Sequence, residues 1–237
     1  MPSAWLVLPT YNEAENLEQM VHAVLPQLAE GESSPTILVV DDASPDGTGR
    51  IADRLAAEIA EVRVLHRPRK DGLGRAYLAG FAAALEGGAD LILQMDCDFS
   101  HDPADLPRLI VATSDADVAL GSRYVPGGGV ENWALRRRIQ SRGGCAYARL
   151  ILGVPVRDLT GGFKCWRRAA LEALDLDGVD AHGYGFQIEM TYRAIKAGLT
   201  VTEVPIVFRE RREGQSKMTG WITLEAVWKV PALRLRG

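Results

Sequence analysis

Three times near its start the chain passes through one cycle, a short apolar run followed by a segment whose apolar residues recur at spacings of three and four. Trp5 to Pro9 precedes Leu17, Met20, Val21, Val24 and Leu28; TILVV precedes Ile51, Leu55 and Ile59; VRVLH precedes RAYLAGFAAALEGG. A spacing of three and four marks the buried face of a helix, whereas apolar runs this short read as buried strands. Asn12 with Glu15 resembles a capping box and predicts the first helix start. Strands that alternate with helices imply a largely parallel sheet, because each parallel crossover needs a helix-sized connection. The chain therefore reads as an α/β fold with a mostly parallel central sheet flanked by helices, one domain spanning residues 1–237. Ligands of such sheets gather outside the carboxyl ends of the strands. Pro9-Thr10-Tyr11, Asp41-Asp42 and Asp96-Asp98 all fall at such ends, so three polar clusters distant in sequence are expected to converge.

The fourth apolar run, ADLILQM, breaks off in the stretch MDCDFSHDP. In an extended segment alternate side chains share a face, so Asp96 and Asp98 can project together from a loop mouth and hold a divalent metal. The competing reading is turn chemistry, with Asp102 capping a helix that opens at Pro103. His101 reads as a loop histidine beside these acids. Neither DGLGRA nor SPDGTG has the glycine spacing of a dinucleotide fingerprint, and no Walker phosphate loop is present.

The formal charge of −4 argues against bulk nucleic-acid binding. It conceals a segment from Arg123 to Arg168 with ten basic residues against two acids, Glu131 and Asp158, which predicts an anionic partner there. Cys97, Cys145 and Cys165 have no metal-finger spacing and read as free thiols of a reduced cytoplasmic setting. No apolar run is long enough to span a bilayer, and the amino-terminal residues read as the first strand.

LPTYNEAENL, VVDDASPDGTG, GLGRAYLAGF, MDCDFSHDP, GSRY, TGGFKCW, GYGFQIEM and FRERREGQSK occur in this order along almost the whole chain. Together they resemble the family 2 inverting glycosyltransferases of GT-A fold, and more narrowly the polyprenol (dolichol) phosphate mannose synthases. That resemblance implies mannose transfer from GDP-mannose to a polyprenyl monophosphate, with Mg²⁺ or Mn²⁺ as cofactor. It implies that Pro9, Tyr11, Glu13, Val40 and Asp42 line the nucleoside site and that Asp96, Cys97 and Asp98 meet the diphosphate. Asp96 and Asp98 would be the metal ligands, with Ser100 as a third where such enzymes often carry Gln. Cys97 stands where they often carry Ala. Arg123, Arg211 and Lys217 would hold phosphate groups, and Arg123, Arg137, Arg138, Ser141 and Arg211 would receive the acceptor phosphate. The resemblance also draws Glu189 toward the site, against a salt-bridged surface acid.

Elementary chemistry agrees with those roles. Mg²⁺ and Mn²⁺ take oxygen ligands and commonly only one or two carboxylates besides substrate phosphates. A phosphate acceptor is already ionised near neutral pH, so it needs cations to place it rather than a general base. Arg136 and Arg142 join the candidate cations, with a solvated helix face as their alternative. Asp158 and Thr160 in DLTGGF read as a loop beneath the sugar, against a plain Gly-Gly turn. Two rival functions stay open: transfer of glucose or another sugar from a UDP donor to the same lipid type, and a non-catalytic sugar-nucleotide-binding subunit. RERREGQSK reads as a loop that closes over phosphates, with Gly214 as its hinge. The carboxyl-terminal segment 218–237 mixes tryptophans and apolar residues with Lys229, Arg234 and Arg236, the composition of an interfacial or docking helix, with packing of its apolar face on the sheet as the equal alternative. A lipid acceptor implies a peripheral position at the cytoplasmic face of a membrane, reached directly or through a membrane-anchored partner protein.

Overall fold

The computed structural model describes residues 2–30, 34–179, 185–210 and 229–235. In chain order the elements are β1 (Ser3–Thr10), α1 (Leu17–Glu30), β2 (Ser34–Asp41), α2 (Thr48–Glu58), β3 (Val62–His66), α3 (Leu73–Glu86) and β4 (Leu91–Gln94). A 3-10 turn at Pro103–Asp105 leads into α4 (Leu106–Ala112), β5 (Val118–Ser122), β6 (Gly129–Val130) and α5 (Leu135–Leu152). There follow β7 (Lys164–Arg167), α6 (Arg168–Glu172), α7 (Gly185–Lys196), β8 (Val201–Pro205) and β9 (Val207–Phe208).

Seven strands form one sheet in the order β3-β2-β1-β4-β7-β5-β8. Its neighbours run parallel except at β7, which lies antiparallel between β4 and β5. The stretch VTEVPIVF, expected as one strand, is divided: β8 joins the main sheet and β9 pairs with β6 in a separate two-stranded sheet. Ile206 sits at the division, donating its N–H to the Ser122 carbonyl and accepting at its own carbonyl from Gly129.

The helical spacing read in α1 is realised in full, since Leu17, Met20, Val21, Val24 and Leu28 are all buried. They pack with Leu6, Leu8, Leu55 and Leu109 on one face of the sheet. Trp5, Val7, Tyr77, Phe81, Trp166 and Phe186 fill the other face under α3, α6 and α7. Full burial of each such side chain contributes roughly 1.5–3 kcal/mol. Gly80 lets α3 lie close to the sheet, because a Cβ there would come within 2.2 Å of Val7 Cγ1.

One local expectation is corrected. Asn12 does not cap α1: it turns the chain at φ 59° and donates its N–H to Ser44 Oγ at 3.1 Å. The helix entrance is set instead by the Glu13 carbonyl, which accepts from the N–H groups of Asn16 and Leu17. At the other end, residues 229–235 are helical and seat Val230 in a cluster with Ala148, Leu152 and Ile188. This part of the tail therefore buries apolar surface on the protein itself, although Leu235 stays exposed.

Candidate active site

β1, β2 and β4 are neighbours in register, with Thr10 opposite Asp41 and Val7 opposite Gln94. Their continuations therefore leave the sheet side by side, and the three acidic or polar strand ends converge. Each exit turns through a non-glycine residue in the left-handed region: Asn12 (φ 59°), Ala43 (φ 55°) and Phe99 (φ 57°). That conformation costs a side chain roughly 1–2 kcal/mol, and such strain collects where function requires a particular backbone path.

The first part of the site lies over β1 and β2. Pro9 and Val40 are buried within their strands. Asp42, buried, receives Arg67 Nη1 at 2.5 Å and the Asp71 N–H at 3.4 Å. Lys70 Nζ stands 3.8 Å from the centre of the Tyr11 ring. Glu13 donates its N–H to Thr48 Oγ1 at 2.9 Å and accepts from Asn16 Nδ2 at 2.9 Å. Arg67 and Lys70 border this recess, yet sequence reasoning passed over RPRKDG as a connection. Their available signal was a pair of cations directly after a strand end.

The second part is MDCDFSHDP. Asp96 receives the Tyr77 hydroxyl at 2.9 Å on Oδ1. Burial, and then the charge of Asp96, push the Tyr77 phenol well up, so it stays a proton donor. Asp98 is not at a loop mouth: it is buried and accepts the Ser100 N–H at 3.0 Å. Ser100 is 1% exposed, and its Oγ has no hydrogen-bond partner among the described residues. Cys97 is buried, and burial followed by nearby acids pushes its thiol well up, so it is a packed residue and no nucleophile. Asp102 does cap the turn at Pro103, accepting the Ala104 N–H at 3.1 Å. His101 lies in the loop after β4 with its ring buried, packed 5.0 Å from both Phe163 and Phe208.

Among the described residues no group of three or more His, Cys, Asp or Glu side chains could cage a metal. The donor set present is the sparser kind, two carboxylates beside a buried hydroxyl whose oxygen lacks a partner. That set fits Mg²⁺ or Mn²⁺, which complete their shells with water and substrate phosphates.

The third part is the cationic side. Arg123 is drawn into a buried pair with Asp158, Nε at 2.7 Å and Nη2 at 2.6 Å, while its N–H reaches the same carboxylate at 2.9 Å. Nη2 also donates to Thr160 Oγ1 at 2.7 Å. Burial opposes the charge on Asp158, but Arg123 outweighs it and holds the carboxyl below its ordinary range. The Arg123 guanidinium further faces the rings of Tyr124, Trp133 and Phe208. On α5, Arg137 lies over Trp133 and pairs with Glu210 at 3.0 Å, and Arg138 donates to the Val130 carbonyl at 2.6 Å. Ser141 Oγ accepts the Tyr124 hydroxyl at 2.6 Å. Arg136 and Arg142 are exposed. Arg211, Lys217 and Gly214 lie outside the described residues. Glu189 is the salt-bridged acid, paired with Arg193 at 2.7 Å.

Beneath these parts lies a polar network that sequence reasoning missed. Lys164, fully buried on β7, donates to Gln187 Oε1 at 2.5 Å. Gln94 Nε2 donates to the same oxygen and to the Gly162 carbonyl, both at 2.9 Å, and Gln94 Oε1 accepts Trp166 Nε1 at 2.9 Å. A lysine or glutamine inside an apolar strand was the only signal available.

The glycosyl transferase family 2 pattern matches residues 5–175 of the chain. The chain is 49% identical over 224 residues to undecaprenyl-phosphate mannosyltransferase of Micrococcus luteus, covering 94% of this chain and 90% of that protein. It is likewise 49% identical over 237 residues to polyprenol monophosphomannose synthase of Mycolicibacterium smegmatis, covering 98% of this chain and 87% of the relative. Among solved structures it is similar to glucosyl-3-phosphoglycerate synthase from Mycobacterium tuberculosis in complex with Mn²⁺, UDP-glucose and phosphoglyceric acid. That likeness has a TM-score of 0.72 at 20% identity and covers 98% of this chain and 80% of that one. The same enzyme with Mg²⁺ and UDP gives a TM-score of 0.71 at 19% identity, covering 98% and 79%. These structural likenesses establish the GT-A fold.

Proposed function

The chain belongs to glycosyl transferase family 2, and from that footing we propose that it transfers mannose from GDP-mannose to a polyprenyl monophosphate with inversion, giving polyprenyl-phosphate-mannose. The observation that carries this reading is the near-full-length likeness to two polyprenyl-phosphate mannosyltransferases. A carboxylate-rich strand edge beside a cationic segment supports it.

In this reading the nucleoside rests against Pro9, Tyr11, Glu13, Val40 and Asp42, with Arg67 and Lys70 bordering the recess. Asp96 and Asp98, with Ser100 beside them, would hold Mg²⁺ or Mn²⁺, and the backbone at Cys97 faces the diphosphate. When bound, the metal supplies Lewis-acid neutralisation of the charge that grows on the departing nucleoside diphosphate. Tyr77 fixes one Asp96 oxygen through its hydroxyl. Arg123, oriented by Asp158 and Thr160, presents a fixed cation toward the phosphates, together with Arg137, Arg138, Ser141, Arg211 and Lys217. The acceptor phosphate attacks as an anion from the face opposite the leaving group, so displacement through an oxocarbenium-like state inverts the anomeric centre without a protein general base.

The lipid is reached from a membrane surface. On α5, Leu135, Ile139 and Leu150 are 71%, 65% and 79% exposed, and their spacing places them on one helix face. Arg136, Arg138, Arg142 and Arg149 are exposed alongside them. An apolar stripe rimmed by arginines suits the interface of an anionic bilayer. Among the described residues no helix is long and apolar enough to cross a membrane. A peripheral seat on the cytoplasmic face, aided by segment 218–237 or by an anchored partner, follows from this reading.

The test is radiolabelled transfer to a short polyprenyl phosphate, comparing GDP-mannose with UDP-glucose, with and without EDTA and in Asp98→Asn. Transfer from GDP-mannose that EDTA and the substitution both abolish is expected. Preference for UDP-glucose would overturn the donor assignment, and transfer from neither donor would favour a non-catalytic subunit.

A further inference from the structure

Lys164 is a buried cation that no step above uses. It occupies the antiparallel strand β7 opposite Gln94, the last residue of β4, with Asp96 two residues farther along the chain. Directly opposed residues project to the same side of a sheet, and so do residues two apart. Lys164 and Gln94 therefore share one face, and Asp96, beyond the end of β4, meets Tyr77 of the cluster packed on that face. The Gln187 amide joins them, since a Cβ placed on Gly162 would lie 3.3 Å from Gln187 Nε2 and 4.0 Å from Asp96 Oδ2. Gly162 thus neighbours both the Gln187 amide and the Asp96 carboxylate, while Lys164 donates to Gln187 and Gln94 donates to the Gly162 carbonyl.

Burying an ammonium costs several kcal/mol unless nearby anions compensate it. Burial pushes Lys164 down to about 7, opposed by Asp158 and then Asp96. Asp158 already has Arg123 as its bidentate partner, and Asp96 is the further acid whose charge the lysine meets, at the end of β4. A fixed cation beneath a carboxylate pair repels a lone divalent ion and attracts a polyanion. We propose that Lys164 is a positioning residue whose charge disfavours divalent metal at Asp96 and Asp98 and favours the diphosphate, so that metal is taken up with the nucleotide rather than before it. This rests on the reading of Asp96 and Asp98 as metal ligands.

Calorimetric titrations at pH 6.0, where the amine carries its proton, test it with Mn²⁺ alone and GDP alone. The proteins are the full chain and its variants Lys164→Met, Lys164→Gln and Asp98→Asn. Both lysine variants are expected to bind Mn²⁺ about tenfold more tightly and metal-free GDP about tenfold more weakly. Opposite movement of the two affinities is a signature that loosened packing would not produce, because disorder weakens both. Thermal unfolding is measured on each variant, and either lysine variant that folds decides the matter. Affinities that move together or not at all, or failure of both variants to fold, overturn the proposal. The control separates the two readings. If Asp98→Asn loses Mn²⁺ while the lysine variants match wild type, the metal assignment stands and only the role of Lys164 falls. If Asp98→Asn binds Mn²⁺ like wild type, the metal assignment is wrong and the lysine proposal falls with it.

Discussion

Replacing Asp158 with Asn removes the charge that holds Arg123 in place while retaining an acceptor for the Arg123 N–H. The carboxylate is fully buried, and the Arg123 side chain is 9% exposed. Three hydrogen bonds of 2.9, 2.7 and 2.6 Å run from Arg123 to it. Stripping one partner from such a pair costs about 3–5 kcal/mol, because the other charge stays buried without compensation. Since Asn keeps one acceptor, the lower end, about 3 kcal/mol, is expected. At roughly 2–4 °C per kcal/mol for a chain of this size, the unfolding midpoint should fall by about 6–12 °C. Adding Arg123→Met removes the stranded charge, so the double variant should recover about 2 kcal/mol in urea unfolding while transfer stays lost. The sign of the pH dependence follows from Asp158 being held below its ordinary value when folded. Its contribution is fully present above the unfolded value of about 3.9 and is lost as pH falls through the lower folded value. The stability gap between wild type and Asp158→Asn should therefore narrow below about pH 4. A gap under about 1 kcal/mol at pH 7, or additive single and double costs, would refute the reasoning.

Ser100→Ala removes a buried hydroxyl that lacks a hydrogen-bond partner, so metal-free protein should gain up to about 1 kcal/mol in urea unfolding. The same variant should bind Mn²⁺ more weakly in calorimetry; unchanged affinity would exclude Oγ as a ligand. Gly80→Ala drives a methyl to 2.2 Å from Val7 Cγ1 and should cost about 1–3 kcal/mol by chemical denaturation, as overpacking between helix and sheet does. Leu135→Glu, Ile139→Glu and Leu150→Glu together should abolish flotation with anionic liposomes at low salt. Transfer to a detergent-dispersed lipid phosphate should persist, and flotation equal to wild type would remove α5 from the membrane contact.

Periodicity along the chain was sufficient for the parallel half of the fold. A helix at spacing three and four and an apolar run of five are local signals, and α1, β2 and β3 form where those signals lie. The carboxyl-end rule then placed Tyr11, Asp42, Asp96 and Asp98 at one edge, because strand order and direction alone determine which ends meet. Segments without such local signals were not legible. β7 is a four-residue strand whose antiparallel seat between β4 and β5 depends on partners more than forty residues away in sequence. Its lysine looked like one more member of a basic segment. The pairing of Arg123 with Asp158, the bonding of Gln94 to Gln187 and the burial of Asp98 and His101 arise from packing between distant elements. Residue type states what a side chain can donate or accept, whereas its partner is chosen by the neighbours the sheet brings within reach. The position of the acidic strand ends was therefore legible in the sequence, whereas the pairing of the charges beneath them was decided by the seat of β7 between β4 and β5.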